Sequence, residues 1–182
     1  MKRASGPMTT IRLMAGSELG RIAEIDRSEH IMQLYTSHGG VLELVDVDIR
    51  APRWGEPGER SVRDYVESWK QLLDGGGALI GAFDGDRLVG FAIYQPLLGE
   101  GFANFAVLHV TRTHRHNGIG CQLTKEVVRL ARAEGAQRLY VSATPTRSTV
   151  DFYMRRGFSP LATPNERLFA LEPDDIHMEM TL

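Results

Sequence analysis

The sequence predicts a mixed α/β domain, and three patterns predict it. An apolar run, Phe105 to Val110, is followed by a polar turn from Thr111 to Asn117. A helical pattern then opens at Gly118-Ile119-Gly120, and a further apolar run returns at Arg138 to Ser142. Strand, helix and strand at this length make one right-handed parallel crossover. The second pattern is Asp84-Gly85-Asp86 between the apolar runs Ala78 to Phe83 and Arg87 to Tyr94; Asp-Gly in that setting marks an antiparallel hairpin. The third is a closing pair, Phe158-Ser159 and Ile176 to Thr181, which reads as two antiparallel strands.

The remaining elements follow from local spacing. Ile11 to Leu13 reads as a short strand. Ser17 stands where an N-cap would, before a helix from Glu18 whose Leu19, Ile22 and Ala23 share one side. That helix ends in the polar cluster Ile25 to His30, the start of an early helix–loop region. His38-Gly39-Gly40 breaks the chain, and Val41 to Ile49 alternates apolar and acidic residues as a half-exposed strand does. Ala51 to Arg60 carries Pro52, Gly55, Pro57 and Gly58 and is a loop; Trp54 within it is either a pocket wall or an aromatic pin. Val62, Tyr65, Val66, Trp69, Leu72 and Leu73 recur at three and four, giving an amphipathic helix stopped by Gly75-Gly76-Gly77. From Gly118 to Glu134 the buried face is Leu123, Val127, Leu130 and Ala131, with Gly135 as the C-terminal cap. Thr146 or Ser148 caps a last helix that Gly157 ends.

Bulk properties bound the function. At 182 residues, the chain suits one domain with a full core. Residues 1–8 read as a disordered extension and 9–182 as the domain. A net charge of −2 favours neither nucleic acid nor an anionic membrane as a non-specific partner. No apolar run approaches the ~20 residues that span a bilayer, and Lys2 and Arg3 are followed by no apolar segment of a secretory signal. Cys121 is the single cysteine, which excludes an internal disulfide and fits a reducing cytoplasm. A homodimer is left open.

The junction after Val110 carries the chemistry. Arg115-His116-Asn117-Gly118-Ile119-Gly120 is an R-x-x-G-x-G pattern between a strand and a helix. A helix start leaves backbone N–H groups without partners and carries partial positive charge, which favours an anion. Glycine there removes the Cβ that would hold a ligand away, and Arg115 adds a fork of donors. The two better-known phosphate loops do not match: Leu123 stands where G-x-G-x-x-G needs its third glycine, and G-x-x-x-x-G-K-[ST] is absent.

With Leu108 and Val110 upstream as L-x-V, and Phe152-Tyr153-Met154-Arg155-Arg156-Gly157-Phe158 downstream as F-Y-x-x-x-G-F, the chain resembles the GNAT acetyltransferase superfamily over about residues 9 to 182. The resemblance implies a central, mostly antiparallel twisted sheet flanked by helices, with one parallel strand pair splayed apart. It implies an acetyl-CoA-dependent N-acetyltransferase, acting on a primary amine of a small molecule or protein by direct attack in a ternary complex. No metal is implied. The backbone of Leu108, His109 and Val110 is assigned to the pantetheine, Arg115 through Gly120 to the diphosphate, and Tyr153 to the general acid.

Two positions depart from the family's pattern. No carboxylate lies between Gly101 and Val110, so His109 is the titratable side chain available on that strand as a base; a packed or surface histidine is the alternative, with Asp26, Glu29, Glu43 or a water relay as other routes for the proton. Thr146 stands where an asparagine is usual for pantetheine binding. Asp26, Glu29 and Trp54 border the expected acceptor region, against which stands the reading of a solvated helix end. The competing function class is a non-catalytic acyl-CoA sensor or interaction module on the same fold.

Overall fold

A computed structural model of the chain describes residues 9–96, 98–99 and 101–182. The expected extension, residues 1–8, lies outside the described residues. The strands are β1 (Thr10–Met14), β2 (Glu29–His38), β3 (Val41–Ala51), β4 (Ala78–Asp84), β5 (Arg87–Gln95), β6 (Phe102–Val110), β7 (Arg138–Ala143), β8 (Ser159–Pro160) and β9 (Ile176–Thr181). The α-helices are α1 (Val62–Asp74), α2 (Ile119–Ala133), α3 (Arg147–Met154) and α4 (Glu166–Leu171). Seven strands form one sheet in the order β1-β4-β5-β6-β7-β9-β8, in which β6 and β7 are the parallel pair, and β2 and β3 form a separate ribbon.

The central strands read as near-continuous apolar runs because both faces are covered. Leu123, Val127 and Ala131 of α2, with Val150 and Tyr153 of α3, cover one face against Ile80, Val89, Ala92 and Phe105. On the other face, Leu19, Ile22 and Ile25, joined by the half-buried apolar side of α1, pack on Leu79, Phe83, Leu88, Phe91 and Val107. Fully burying one such side chain contributes about 1.5–3 kcal/mol. Among the described residues, no helix is long and apolar enough to cross a membrane.

Three elements differ from the sequence-based expectation. The first helix is a 3₁₀ helix over Gly16–Glu24, and its cap is not Ser17: the Glu18 carboxylate accepts the Ala15 N–H at 2.9 Å. Residues 29–38, expected as helix end and loop, form a strand. Gly39 and Gly40 both take positive φ (58° and 81°) and turn that strand back on β3, so the chain break is a hairpin turn. A strand whose partner is adjacent needs little alternation of its own, and the register shift near Met32 blurs what alternation there is. Finally, α3 is not the last helix. The short α4 is capped by Asn165, whose Oδ1 accepts from the Leu168 N–H at 3.1 Å.

Leu123 is fully buried between α2 and the sheet. Leu123→Ala is expected to destabilise the fold by about 2–5 kcal/mol, read as a drop of several degrees in the thermal unfolding midpoint.

Candidate active site

Strands β6 and β7 pair over three positions only, Phe102 with Arg138, Ala103 with Leu139 and Asn104 with Tyr140. Beyond Asn104 they separate: β6 runs on to Val110 bonded to β5, and β7 runs on to Ala143 bonded to β9. A bulge helps to turn β6 away. Ile93 pairs with Val107 and Tyr94 with Phe105, which leaves Ala106 as the extra residue. The edge of β6 that faces the resulting wedge, including Leu108, His109 and Val110, is free of a ladder partner on that side. Such an edge offers N–H and C=O groups to an added extended chain.

The turn after β6 is held from below. Thr111 is fully buried, its N–H donates to the Val89 carbonyl at 2.8 Å, and its hydroxyl accepts the Asp26 N–H at 3.0 Å. The chain then passes through positive φ at His116 (64°) and Gly118 (81°) into α2. None of the backbone N–H groups from His116 to Cys121 donates to an acceptor among the described residues; the first to do so is Gln122, to the Gly118 carbonyl at 3.1 Å. The two glycines serve different purposes. A Cβ at Gly118 would meet nothing within 4 Å, so this glycine answers the backbone's φ and leaves the approach open. A Cβ at Gly120 would lie 3.0 Å from the Phe152 ring, so that glycine lets α2 close on α3.

The Arg115 guanidinium is engaged elsewhere. It donates to the carbonyls of Val110 (3.2 Å) and Arg27 (3.0 Å) and pairs with Glu29 at 3.3 Å, tying the end of β6 to the N-terminal arm. Its main chain, rather than its fork of donors, borders the helix start. Cations come from another quarter. A groove of about 680 Å³ runs along α2 beside the turn that follows α3, lined by Cys121, Lys125, Arg129, Arg132, Arg155 and Arg156 among others. Arg156 lies 3.4 Å over the Phe152 ring and contacts the Cys121 sulfur. Among the described residues, Lys125, Arg132 and Arg156 form no ion pair with a carboxylate, so the groove carries net positive charge in a chain of net charge −2. Sequence spacing did not reveal it, because its residues come from α2, the turn after α3 and β9.

Tyr153 is 4% exposed and meets Phe105, Phe152 and Phe158 edge-on. Burial pushes its phenol above the ordinary range, so it stays protonated, and among the described residues its hydroxyl makes no hydrogen bond. Thr146 is also buried. Its oxygen accepts the Thr149 N–H at 3.2 Å and its hydroxyl donates to Thr149 Oγ1 at 2.9 Å, so it serves as the cap of α3.

The side chain of His109 points to the opposite face, into an aromatic wall made by Trp54 (5.1 Å), Phe91 (5.5 Å) and Trp69 (6.1 Å). Burial first, then the charges of Arg27 and Arg115, lower its pKa to about 3. An imidazole so held is neutral at physiological pH and a poor proton acceptor; of the two sequence readings, its surroundings match the packed one. Trp54 also meets Tyr65 at 4.8 Å and lies under the Arg27 guanidinium at 4.6 Å, pinning its loop to the core. Asp26 accepts from the Ser28 N–H (3.0 Å) and hydroxyl (2.6 Å) and pairs with Arg53, and these contacts, that with the Ser28 hydroxyl foremost, lower its pKa. Glu29 pairs with Arg115 and accepts the Ser148 hydroxyl at 2.8 Å. Asp26 and Glu29 are thus already partnered, whereas Trp54 packs among Arg27, Tyr65, Trp69 and His109 and its buried Nε1 has no hydrogen-bond partner among the described residues.

Comparison with known proteins follows the same lines. A model of the acetyltransferase (GNAT) family matches residues 44–158. Among solved structures, the chain is similar to nourseothricin acetyltransferase (TM-score 0.71, 18% identity, covering 95% of this chain and 98% of that one). It is similar to a provisionally assigned streptothricin acetyltransferase from Bacillus anthracis, solved with acetyl coenzyme A (0.70, 17%, 96% and 99%). It is also similar to the PaiA N-acetyltransferase from Thermoplasma acidophilum, solved with coenzyme A (0.60, 19%, 96% and 99%). Comparison with curated protein sequences returns no match. The span matched by the family model runs from within β3 through the wedge and α2 to just past α3, and the chain belongs to the acetyltransferase (GNAT) family.

Proposed function

We propose that this protein is an acetyl-CoA-dependent N-acetyltransferase that moves an acetyl group to a primary amine of a small molecule or protein, with both substrates bound together. The observation that carries this reading is the wedge between β6 and β7, with open amides at its mouth and a buried, protonated phenol packed against Phe105 of β6. In this reading the β6 edge at Leu108 to Val110 pairs with the pantetheine arm, and the amides of His116 to Gly120 hold the diphosphate. The lining of the groove along α2, above all Arg156 and Lys125, suits the remaining phosphate charge. Three requirements of acetyl transfer are then met by the chain itself: binding energy along a rigid strand, donors near the acyl oxygen, and an acid for the departing sulfur. Tyr153 is that acid.

Saturating coenzyme A, at ~100 times its dissociation constant, is expected to stabilise the fold by about 2.7 kcal/mol, seen as a raised melting midpoint; no rise would remove the coenzyme reading. Tyr153→Phe is expected to lower turnover tenfold or more, about 1.4 kcal/mol of barrier, measured as free thiol released from acetyl-CoA over an amine panel. Because the Tyr153 hydroxyl has no partner to lose, the melting midpoint and acetyl-CoA affinity should stay close to wild type. Coenzyme binding without thiol release across the panel would favour the sensor reading instead.

A further inference from the structure

If amines are the acceptors, something must take their proton. A primary amine is mostly an ammonium ion near neutral pH, with lysine's ordinary pKa about 10.4. His109, held neutral in its aromatic wall, is poorly suited, and Asp26 and Glu29 are bound up in the arm. A different carboxylate stands at the wedge. In the β7/β9 ladder Ala143, the last residue of β7, pairs with Ile176, so Asp175 lies just past the end of β7 at the open end of the wedge. Ile176 and Tyr153 share one core cluster, and Asp175 is close enough for its charge to act on the Tyr153 phenol.

The turn that presents Asp175 is fixed. Its N–H donates to the Glu172 carbonyl at 3.2 Å. His177 Nε2 lies 2.9 Å from that same carbonyl, which only accepts, so this nitrogen carries the proton. His177 Nδ1 is then free to accept from the Tyr140 hydroxyl at 2.7 Å, with Ser142 at 3.3 Å. Burial lowers the pKa of His177, and it serves as a neutral brace between β7, β9 and the turn. The carboxylate of Asp175 itself has no ion pair or hydrogen bond among the described residues, unlike Asp26, Glu29 and Glu59. Around it stand Glu172 and Asp174 of its own loop and Tyr153 of α3, and the charge of Arg156 also acts on that phenol.

We propose that Asp175 is the general base of the reaction, receiving the acceptor's ammonium at the open end of the wedge and taking its proton. The inference rests on the transferase reading above. Asp175 takes one proton from the ammonium and releases it to solvent. The amine lone pair forms the C–N bond, the C–S bond breaks with its electrons going to sulfur, and Tyr153 gives the sulfur its proton. The second proton lost from nitrogen restores Tyr153. Overall, an ammonium ion and a thioester become an amide, a thiol and one proton. The environment suits a base working near neutral pH. Burial first, then Glu172 and Asp174, raise the Asp175 pKa to about 7, whereas Glu18, Glu24, Asp26, Asp64 and Glu126 are lowered by their partners. A carboxyl raised in this way is protonated and idle below that pH and competent above it.

The test is the pH dependence of kcat/KM for wild type, Asp175→Asn, Asp175→Glu and Glu172→Gln, with two amines of different basicity to separate the enzyme's limb from the amine's. Wild type is expected to show an acid limb near pH 7 common to both amines. Asp175→Asn should lose that limb and fall about 100-fold or more, with acetyl-CoA affinity unchanged, and Asp175→Glu should recover part of the rate. Glu172→Gln removes a neighbouring negative charge, so its limb should move to lower pH, which a merely structural role for Asp175 would not produce. Wild-type turnover with an unmoved limb in Asp175→Asn would overturn the assignment and leave the transferase reading standing.

Discussion

The parting of β6 from β7 after Asn104 and Tyr140 is the constraint on which the rest depends. Two parallel strands that stayed paired would satisfy each other's backbone and offer nothing to a ligand. Here the pairing stops after three positions, the bulge at Ala106 lets β6 lean toward β5, and the neighbours β5 and β9 keep each strand straight from outside. The wedge is stable because both of its walls are central strands covered by helices, not frayed edges. Its cost, unpaired backbone groups inside the fold, is the kind that a bound extended chain offsets.

The mouth of the wedge is organised by packing. Ile119, 2% exposed, anchors the start of α2 against Gly90, where a Cβ would lie 3.0 Å from the Ile119 side chain. Gly120 lets the Phe152 ring approach, and this contact seats α3 against the start of α2. The N-terminal arm fastens the other side. Tyr35 donates its N–H to the Pro145 carbonyl at 2.7 Å and its hydroxyl to Asp151 at 2.9 Å, so the β2/β3 ribbon is attached at the start of α3. Arg115 and Glu29 join it to the end of β6. The ribbon thus bridges the ends of the two separated strands.

Much of this was legible in the chain. The hairpin at Asp84-Gly85-Asp86, the amphipathic period of α1, and the strand–turn–helix around Arg115 to Gly120 are each set by neighbours within a few residues, and each was found near its expected limits. The β2 strand was not legible, because its partner and its attachment to Pro145 and Thr146 decide it more than its own pattern does. Side-chain roles were harder still. Arg115 stands at the motif position of a phosphate ligand, yet its guanidinium faces the arm, and the groove's cations come from α2 and the turn that follows α3.

The sequence by itself determined the family, the order of the main elements and the place of the helix start, since those rest on local spacing and on glycines that a particular backbone turn or close contact requires. Only the tertiary structure decided which titratable groups are free. Charge state follows from burial and from partners distant in the chain: Arg27 and Arg115 act on His109, Ser148 and Arg115 engage Glu29, and Asp175 shares its corner with Glu172 and the phenol of Tyr153 on a different helix. No window of sequence holds those neighbours together, so no reading of residue types alone would have distinguished these engaged carboxylates from Asp175.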